Sequence, residues 1–213
     1  MAEQVLAFYG AFNPPTKAHI AIAKYALDCM GYKKVIFIPS KSYYIKNIQN
    51  KDRAFNDDLR LMFLRKIAKE YPWMDVCDYD MKQEHQPTTY NSLCHLRDQG
   101  YAPVLLVGAD VFCDFKESWS NVDKIAKEFG IVVTDRVSDS MYAEVEDLLD
   151  FDPFYQELIP YVDFLPVEDK DILCMSSSDT RLIIEDIESL VDNLKDYIPK
   201  EIFVDLMKIV LYS

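Results

Sequence analysis

Short apolar runs alternate along the chain with longer stretches whose apolar residues recur every three or four positions. "QVLAFY" (4–9), "KVIFIP" (34–39), "MDVCDY" (74–79), "APVLLVG" (102–108), "IVVTD" (131–135) and "YVDFLP" (161–166) read as strands. Residues 17–30, "DDLRLMFLRKIAKEY" (57–71) and "YNSLCHLRDQ" (90–99) read as helices between them, and "IAKEFG" (125–130) leads into the fifth strand. "SDTRLIIEDI" and "KEIFVDLMKIVLY" read as closing helices, from about residue 178. Regular strand–helix alternation predicts an α/β fold: a Rossmann-like, doubly wound parallel sheet with helices on both faces. The acidic stretch 139–160 is expected to be a helical surface insertion with a solvated face.

In such a sheet ligands sit at the carboxyl ends of the strands, beside helix N-termini. Four unusual segments fall at those ends: Gly10–His19, Pro39–Lys46, Gly108–Asp110 and Met175–Arg181. In the first, Gly10 permits close backbone approach, Pro14 and Pro15 stiffen the loop, and a helix opening near Thr16 offers unpaired N–H groups and a positive dipole end. His19 falls in that first turn and can aim a ring N–H at the same spot, which makes an anion cradle. An ordinary Thr-capped helix with a satisfied histidine fits the segment about as well. In the last, Ser176, Ser177 and Ser178 supply hydroxyls, and Arg181 enters a first turn where a cation is misplaced unless an anion sits there; an ordinary Ser/Asp-capped helix with a surface Arg also fits the segment.

Composition narrows the choice. The chain has 213 residues, a net charge of −13 and half its residues apolar, so a sizeable core can form. An acidic surface repels nucleic acid and anionic membranes, so neither is expected as a partner. A site for an anionic ligand must then be built locally from a few cations and backbone N–H groups. Five scattered cysteines without a CxxC pair argue against zinc and for a reducing, cytoplasmic location. "MAEQVLAFYG" runs straight into a strand with no basic segment before it, so no signal peptide is expected, and no apolar run is long enough to span a membrane.

These segments carry a resemblance. "GAFNPPTKAH" resembles the (H/T)xxH signature of nucleotidyltransferases that join a mononucleotide to ATP, and "SSSDTR" is similar to their SxTxxR element. "GADVFCDFKESW", "PTTYNSL" and "IVVTDR" resemble the Gly-Ala-Asp loop, Thr-bearing helix start and fifth strand of nicotinamide/nicotinic acid mononucleotide adenylyltransferases. The chain departs from the pattern at Thr16 in place of the first His, Ala18 in place of Gly, and Ser178 in place of Thr. "SKSYYIKN" leaves the phosphate lysine open between Lys41 and Lys46.

The resemblance implies one nucleotidyltransferase domain over 1–213. It implies in-line attack of the mononucleotide 5′-phosphate on the α-phosphorus of ATP, with pyrophosphate leaving. His19, Lys46 and Arg181 would be catalytic. Gly10, Ala11, Phe12, Thr16, His19, Ser177, Ser178 and Arg181 would bind ATP. Thr89, Gly108, Asp110, Trp119 and Arg136 would bind the pyridine mononucleotide, with Trp119 as a flat platform. Mg²⁺ would ride on the ATP phosphates and no metal site of the protein's own is expected. Trp73, His85 and His95 are expected to be structural. The oligomeric state stays open. The alternatives are a pantetheine-phosphate adenylyltransferase or a cytidylyltransferase, a class I aminoacyl-tRNA synthetase, for which the chain is too short, too acidic and without the KMSKS lysines, and a silent nucleotide sensor.

Overall fold

A computed structural model describes residues 2–47, 55–136, 139–167 and 190–212. Its strands are β1 (Glu3–Gly10), β2 (Val35–Pro39), β3 (Met74–Val76), β4 (Tyr101–Gly108), β5 (Ile131–Arg136) and β6 (Val162–Val167). They form one parallel sheet in the order β3-β2-β1-β4-β5-β6. The longer helices are α1 (Lys17–Met30), α3 (Asp57–Ala68), α5 (Thr89–Asp98), α8 (Val122–Phe129) and α9 (Asp139–Phe151), with α11 (Leu190–Tyr197) and α12 (Lys200–Tyr212) closing the chain. Short helices α2 (Ser42–Asn47), α4 (Tyr79–Lys82), α6 (Ala109–Cys113), α7 (Phe115–Ser118) and α10 (Pro153–Leu158) lie between them.

The two-residue side-chain period of a strand divides the core. Val5, Ala7, Ile36, Ile38, Leu105, Val107, Ile131 and Val133 face one side, where Leu93, Phe112, Ile125 and Tyr155 from the helices cover them. Leu6, Phe8, Val35, Phe37, Leu106 and Val132 face the other, under Ile20, Leu27, Phe63, Leu64 and Ile202. Strands buried on both faces must read as unbroken apolar runs, which is why the runs were legible.

Two expectations change. The third strand stops at Val76: Cys77 N–H donates to the Phe37 carbonyl, and the chain then turns into α4 so that Asp80 enters the interior. Residues 139–158 are helical but do more than coat the surface. They form the crossover from β5 to β6 and bury Val145, Tyr155 and Leu158 in the core. The Tyr155 hydroxyl donates to the Cys113 carbonyl and ties this crossover to α6. Of the two closing helices, residues 200–212 are one, and "SDTRLIIEDI" lies outside the described residues.

Candidate active site

The strand order reverses direction at β1, whose neighbours are β2 and β4. A crevice at the carboxyl ends of β1 and β4 follows from that topology. Its two walls are the loop from Gly10 to α1 and the segment from Gly108 to Trp119.

On the first wall Thr16 caps α1 in extended conformation and forms a reciprocal capping box with His19. The Thr16 backbone N–H donates to His19 Nδ1 at 3.0 Å, and Thr16 Oγ1 lies 2.8 Å from the same nitrogen. A nitrogen that accepts from an amide carries no proton, so the imidazole is the tautomer protonated on Nε2. The T-x-x-H spacing therefore has a local cause: His19 takes the place of the Glu or Gln of a usual capping box. The geometry is that of the capped histidine, and it puts the ring proton on Nε2. The ring is buried edge-on to Phe12 at 5.1 Å. No acidic residue stands in the first turn of α1 to compete with an incoming anion.

A Cβ at Gly10 would meet the Phe12 ring at 3.1 Å, so the glycine makes room for Phe12. Phe12 sits at φ 44° and is buried between Phe8 and Phe37. That packing offsets the cost of about 1–2 kcal/mol for a left-handed residue. The Phe12 ring is thus core, and the loop presents backbone.

Arg60, a residue sequence reasoning missed, fastens this loop. Its side chain is fully buried on α3. It donates to the carbonyls of Ala11 at 2.5 Å, Ser40 at 2.5 Å and Phe55 at 3.3 Å, and to the Asp57 carboxylate at 2.8 Å. Burial pushes the Asp57 carboxyl up, and hydrogen bonds from Ser42 and Arg60 outweigh it, so it ends below the ordinary range. The signal was present: Arg60 lies on the same helix stripe as buried Phe63 and Leu64.

On the second wall Gly108 admits the Asp110 carboxylate, whose Oδ1 would lie 2.4 Å from a Cβ. Asp110 is exposed in the first turn of α6. Trp119 is half-buried, 4.9 Å from the Phe115 ring and 5.5 Å edge-on from Tyr9. Thr89 is buried at the start of α5, where Thr88 rather than Thr89 provides the cap by accepting from Asn91 N–H.

Beneath Tyr9 lies a second missed group. Asp80 is fully buried. Its carboxylate accepts from Ser92 Oγ at 2.6 Å, from Gln86 Nε2 at 2.6 Å and from the Tyr9 hydroxyl. Burial pushes this carboxyl up to about 6 despite those donors. "MDVCDYD" offered no cue, because nothing in the spacing marks which aspartate turns inward.

Lys41 spends its ammonium on the carbonyls of Gln83 at 2.6 Å and Met81 at 3.1 Å, with the Asp57 carboxylate 3.9 Å away. It is a brace between the end of β2 and α4. The side chains of Lys46 and Arg136 are not among those described, and Ser177, Ser178 and Arg181 lie outside the described residues. Trp73 packs against the core, His95 stacks on Tyr79 at 4.2 Å, and His85 is exposed.

The chain belongs to the cytidylyltransferase-like family, whose model matches residues 7–183 and so spans both the Thr16–His19 and the Ser178–Arg181 segments. Within this nucleotidyltransferase class, the resemblance to the pyridine-mononucleotide adenylyltransferases is met. A probable nicotinate-nucleotide adenylyltransferase of Clostridium tetani is 26% identical over 209 residues, 96% of each chain. A probable nicotinate-nucleotide adenylyltransferase of Nitratiruptor is 31% identical over 136 residues, 62% of this chain and 73% of its own. In fold, the Plasmodium falciparum nicotinic acid mononucleotide adenylyltransferase complexed with NaAD superposes with a TM-score of 0.72, covering 99% of this chain and 97% of that one at 16% identity. Among the described residues no helix is long and apolar enough to cross a membrane.

Proposed function

We propose that this chain transfers the adenylyl group of ATP to a pyridine mononucleotide, nicotinic acid mononucleotide before nicotinamide mononucleotide, and releases pyrophosphate. The observation that carries the reading is the Thr16–His19 cap, which fixes the imidazole with its proton on Nε2 at the head of α1. The nucleophile, a phosphate, is already an anion, so the reaction requires no protein base. It requires alignment of two phosphates and donors for the charge that builds on the α-phosphate. His19 Nε2–H supplies one such donor, and the N-terminus of α1 adds a favourable dipole.

The remaining roles follow from the resemblance. Ser177, Ser178 and Arg181 hold the outer phosphates, and Lys46 bridges the two substrates. The loop Gly10–Thr16 contributes backbone at Ala11 and Phe12. Trp119 stacks on the pyridine ring, Thr89 and Arg136 meet its substituent, and Asp110 behind Gly108 takes a ribose hydroxyl. Mg²⁺ would be carried by the phosphate oxygens, where it neutralises charge; an ion bound through phosphates and water needs few protein ligands. The nicotinate preference follows the relatives' names.

The test is pyrophosphate release from ATP with four acceptors in parallel: the two pyridine mononucleotides, 4′-phosphopantetheine, and no acceptor. Release and dinucleotide formation with a pyridine mononucleotide alone is the expected result. Release with phosphopantetheine alone overturns the substrate, and release with none overturns the activity.

A further inference from the structure

We propose that Asp80 and Gln86 are positioning residues for the mononucleotide: they fix the Tyr9 phenol and, through it, the face that Trp119 presents. The inference rests on the function proposed above.

The Gln86 carboxamide is the centre of the arrangement. Its Oε1 accepts from the Lys41 backbone N–H at 2.6 Å. That acceptor role orients the amide, because only an oxygen can face an N–H. The NH₂ group then faces the other way and donates to Asp80 at 2.6 Å and to the Tyr9 hydroxyl at 3.0 Å. The Tyr9 hydroxyl also bonds the Asp80 carboxylate, which Ser92 holds from α5. The phenol is therefore fixed by two partners that are themselves fixed from the loop after β2 and from α5. Its ring stands at 74° to the indole of Trp119, edge to face. Such a pair has a preferred geometry, so a fixed phenol constrains the indole plane. The other side of Trp119 rests on Phe115, a buried core ring.

A purely structural role, tying residues 80–88 to the loop after β2 and to α5, would use the same Gln86–Lys41 and Asp80–Ser92 bonds. It would not need Tyr9. Tyr9→Phe therefore separates the two: the ring and the other bonds stay, and only the fixing of the phenol is lost. Gln86→Met is a second variant that removes the donor from the other end.

The measurement uses the full chain in a Trp73→Phe background, where Trp119 is the single tryptophan, as the sequence holds 2. Both variants are expected to raise KM for nicotinic acid mononucleotide roughly two- to tenfold, with KM for ATP and kcat within about twofold of the parent, the range of one lost hydrogen bond. Acrylamide should quench Trp119 more readily in both. If the two KM values rise together, or neither moves and quenching is unchanged, the positioning role is wrong. A parent that releases no pyrophosphate with either mononucleotide overturns the proposed function and removes this inference with it.

Discussion

Two fully buried charges of opposite sign hold the two walls of the crevice, and they are compensated differently. Arg60 fastens the loop after β1. Its guanidinium meets three backbone carbonyls, and a carboxylate at 2.8 Å neutralises it. Asp80 underlies the wall with Trp119. It receives two hydroxyls and an amide, and the nearest cation that acts on it, Lys41, is engaged by two carbonyls. A buried charge with a counter-ion stays ionised, whereas one held by neutral dipoles can shed its charge instead. The loop after β1 is therefore held by an ion pair that lasts until its carboxylate is acidified, and the wall with Trp119 by a carboxyl that titrates near 6.

The largest effect should come from the compensated charge. Arg60→Met leaves Asp57 without its partner and three carbonyls without a donor. Breaking a buried pair on one side costs about 3–5 kcal/mol. Chemical denaturation of Arg60→Met against wild type measures it, and a loss under about 1 kcal/mol would mean that the guanidinium is solvated in solution, in conflict with its burial.

His19→Ala tests what that fastening is for. Losing a transition-state donor costs ~10²–10³ in kcat, with little change in KM. The variant also loses the cap on Thr16, worth ~1 kcal/mol of stability. His19→Gln separates the two, since a glutamine at that position can restore the cap. Stability should return and kcat should not. A His19→Gln enzyme with near-normal kcat would reduce His19 to a capping residue and empty the first wall of its chemistry.

How much of this was readable before the fold was known follows from where each residue's partners lie in the chain. His19 and Thr16 are three residues apart, and their relation is a matter of helix geometry, so the spacing announced it. The strands announced themselves because both faces of the sheet are covered. Arg60 reaches Ala11, forty-nine residues away, and Asp80 reaches Tyr9 and Ser92 through three separate elements. No local pattern encodes such meetings. Gly10 is the half-legible case: the residue stood out as unusual, and the Phe12 ring it makes room for was invisible until the loop closed. Residues 139–158 misled through their acidity, which describes only the outward half of helices that bury Tyr155 and Leu158 on the other.

The uncompensated charge gives the pH prediction. Asp80 is raised from 3.8 to about 6 in the fold. A carboxyl raised on folding favours the native state while protonated, so its contribution is full below pH about 3.8 and is lost as pH rises through about 6. The loss is about 3 kcal/mol, at 1.36 kcal/mol per unit. The paired carboxylate Asp57 runs the other way, as its lowered value adds stability above the unfolded range that is lost on acidification. Subtracting Asp80→Asn from wild type, stability at each pH against stability at the same pH, cancels every other group. The difference should change across pH 4 to 6 and be flat above 7. A flat difference throughout would show that the carboxylate keeps its charge, and the contrast between the walls would fall.

Trp119→Ala carries the smallest effect and decides what the second wall holds. Stacking of a base on an aromatic ring is worth ~1–3 kcal/mol, which is a roughly 5- to 150-fold rise in KM for the mononucleotide with ATP unchanged. Removing a core tryptophan would cost about 3–5 kcal/mol of stability instead. Trp119 is half-buried, with Phe115 and Tyr9 against it, so some of its surface is already spent on packing. A platform with one face packed and the other available loses affinity first and stability second. Melting temperature and mononucleotide affinity, measured on the same sample, set the two losses side by side. A variant that melts far below wild type while its folded fraction binds the mononucleotide normally makes Trp119 core, and the pyridine ring must then be sought on another surface of the crevice.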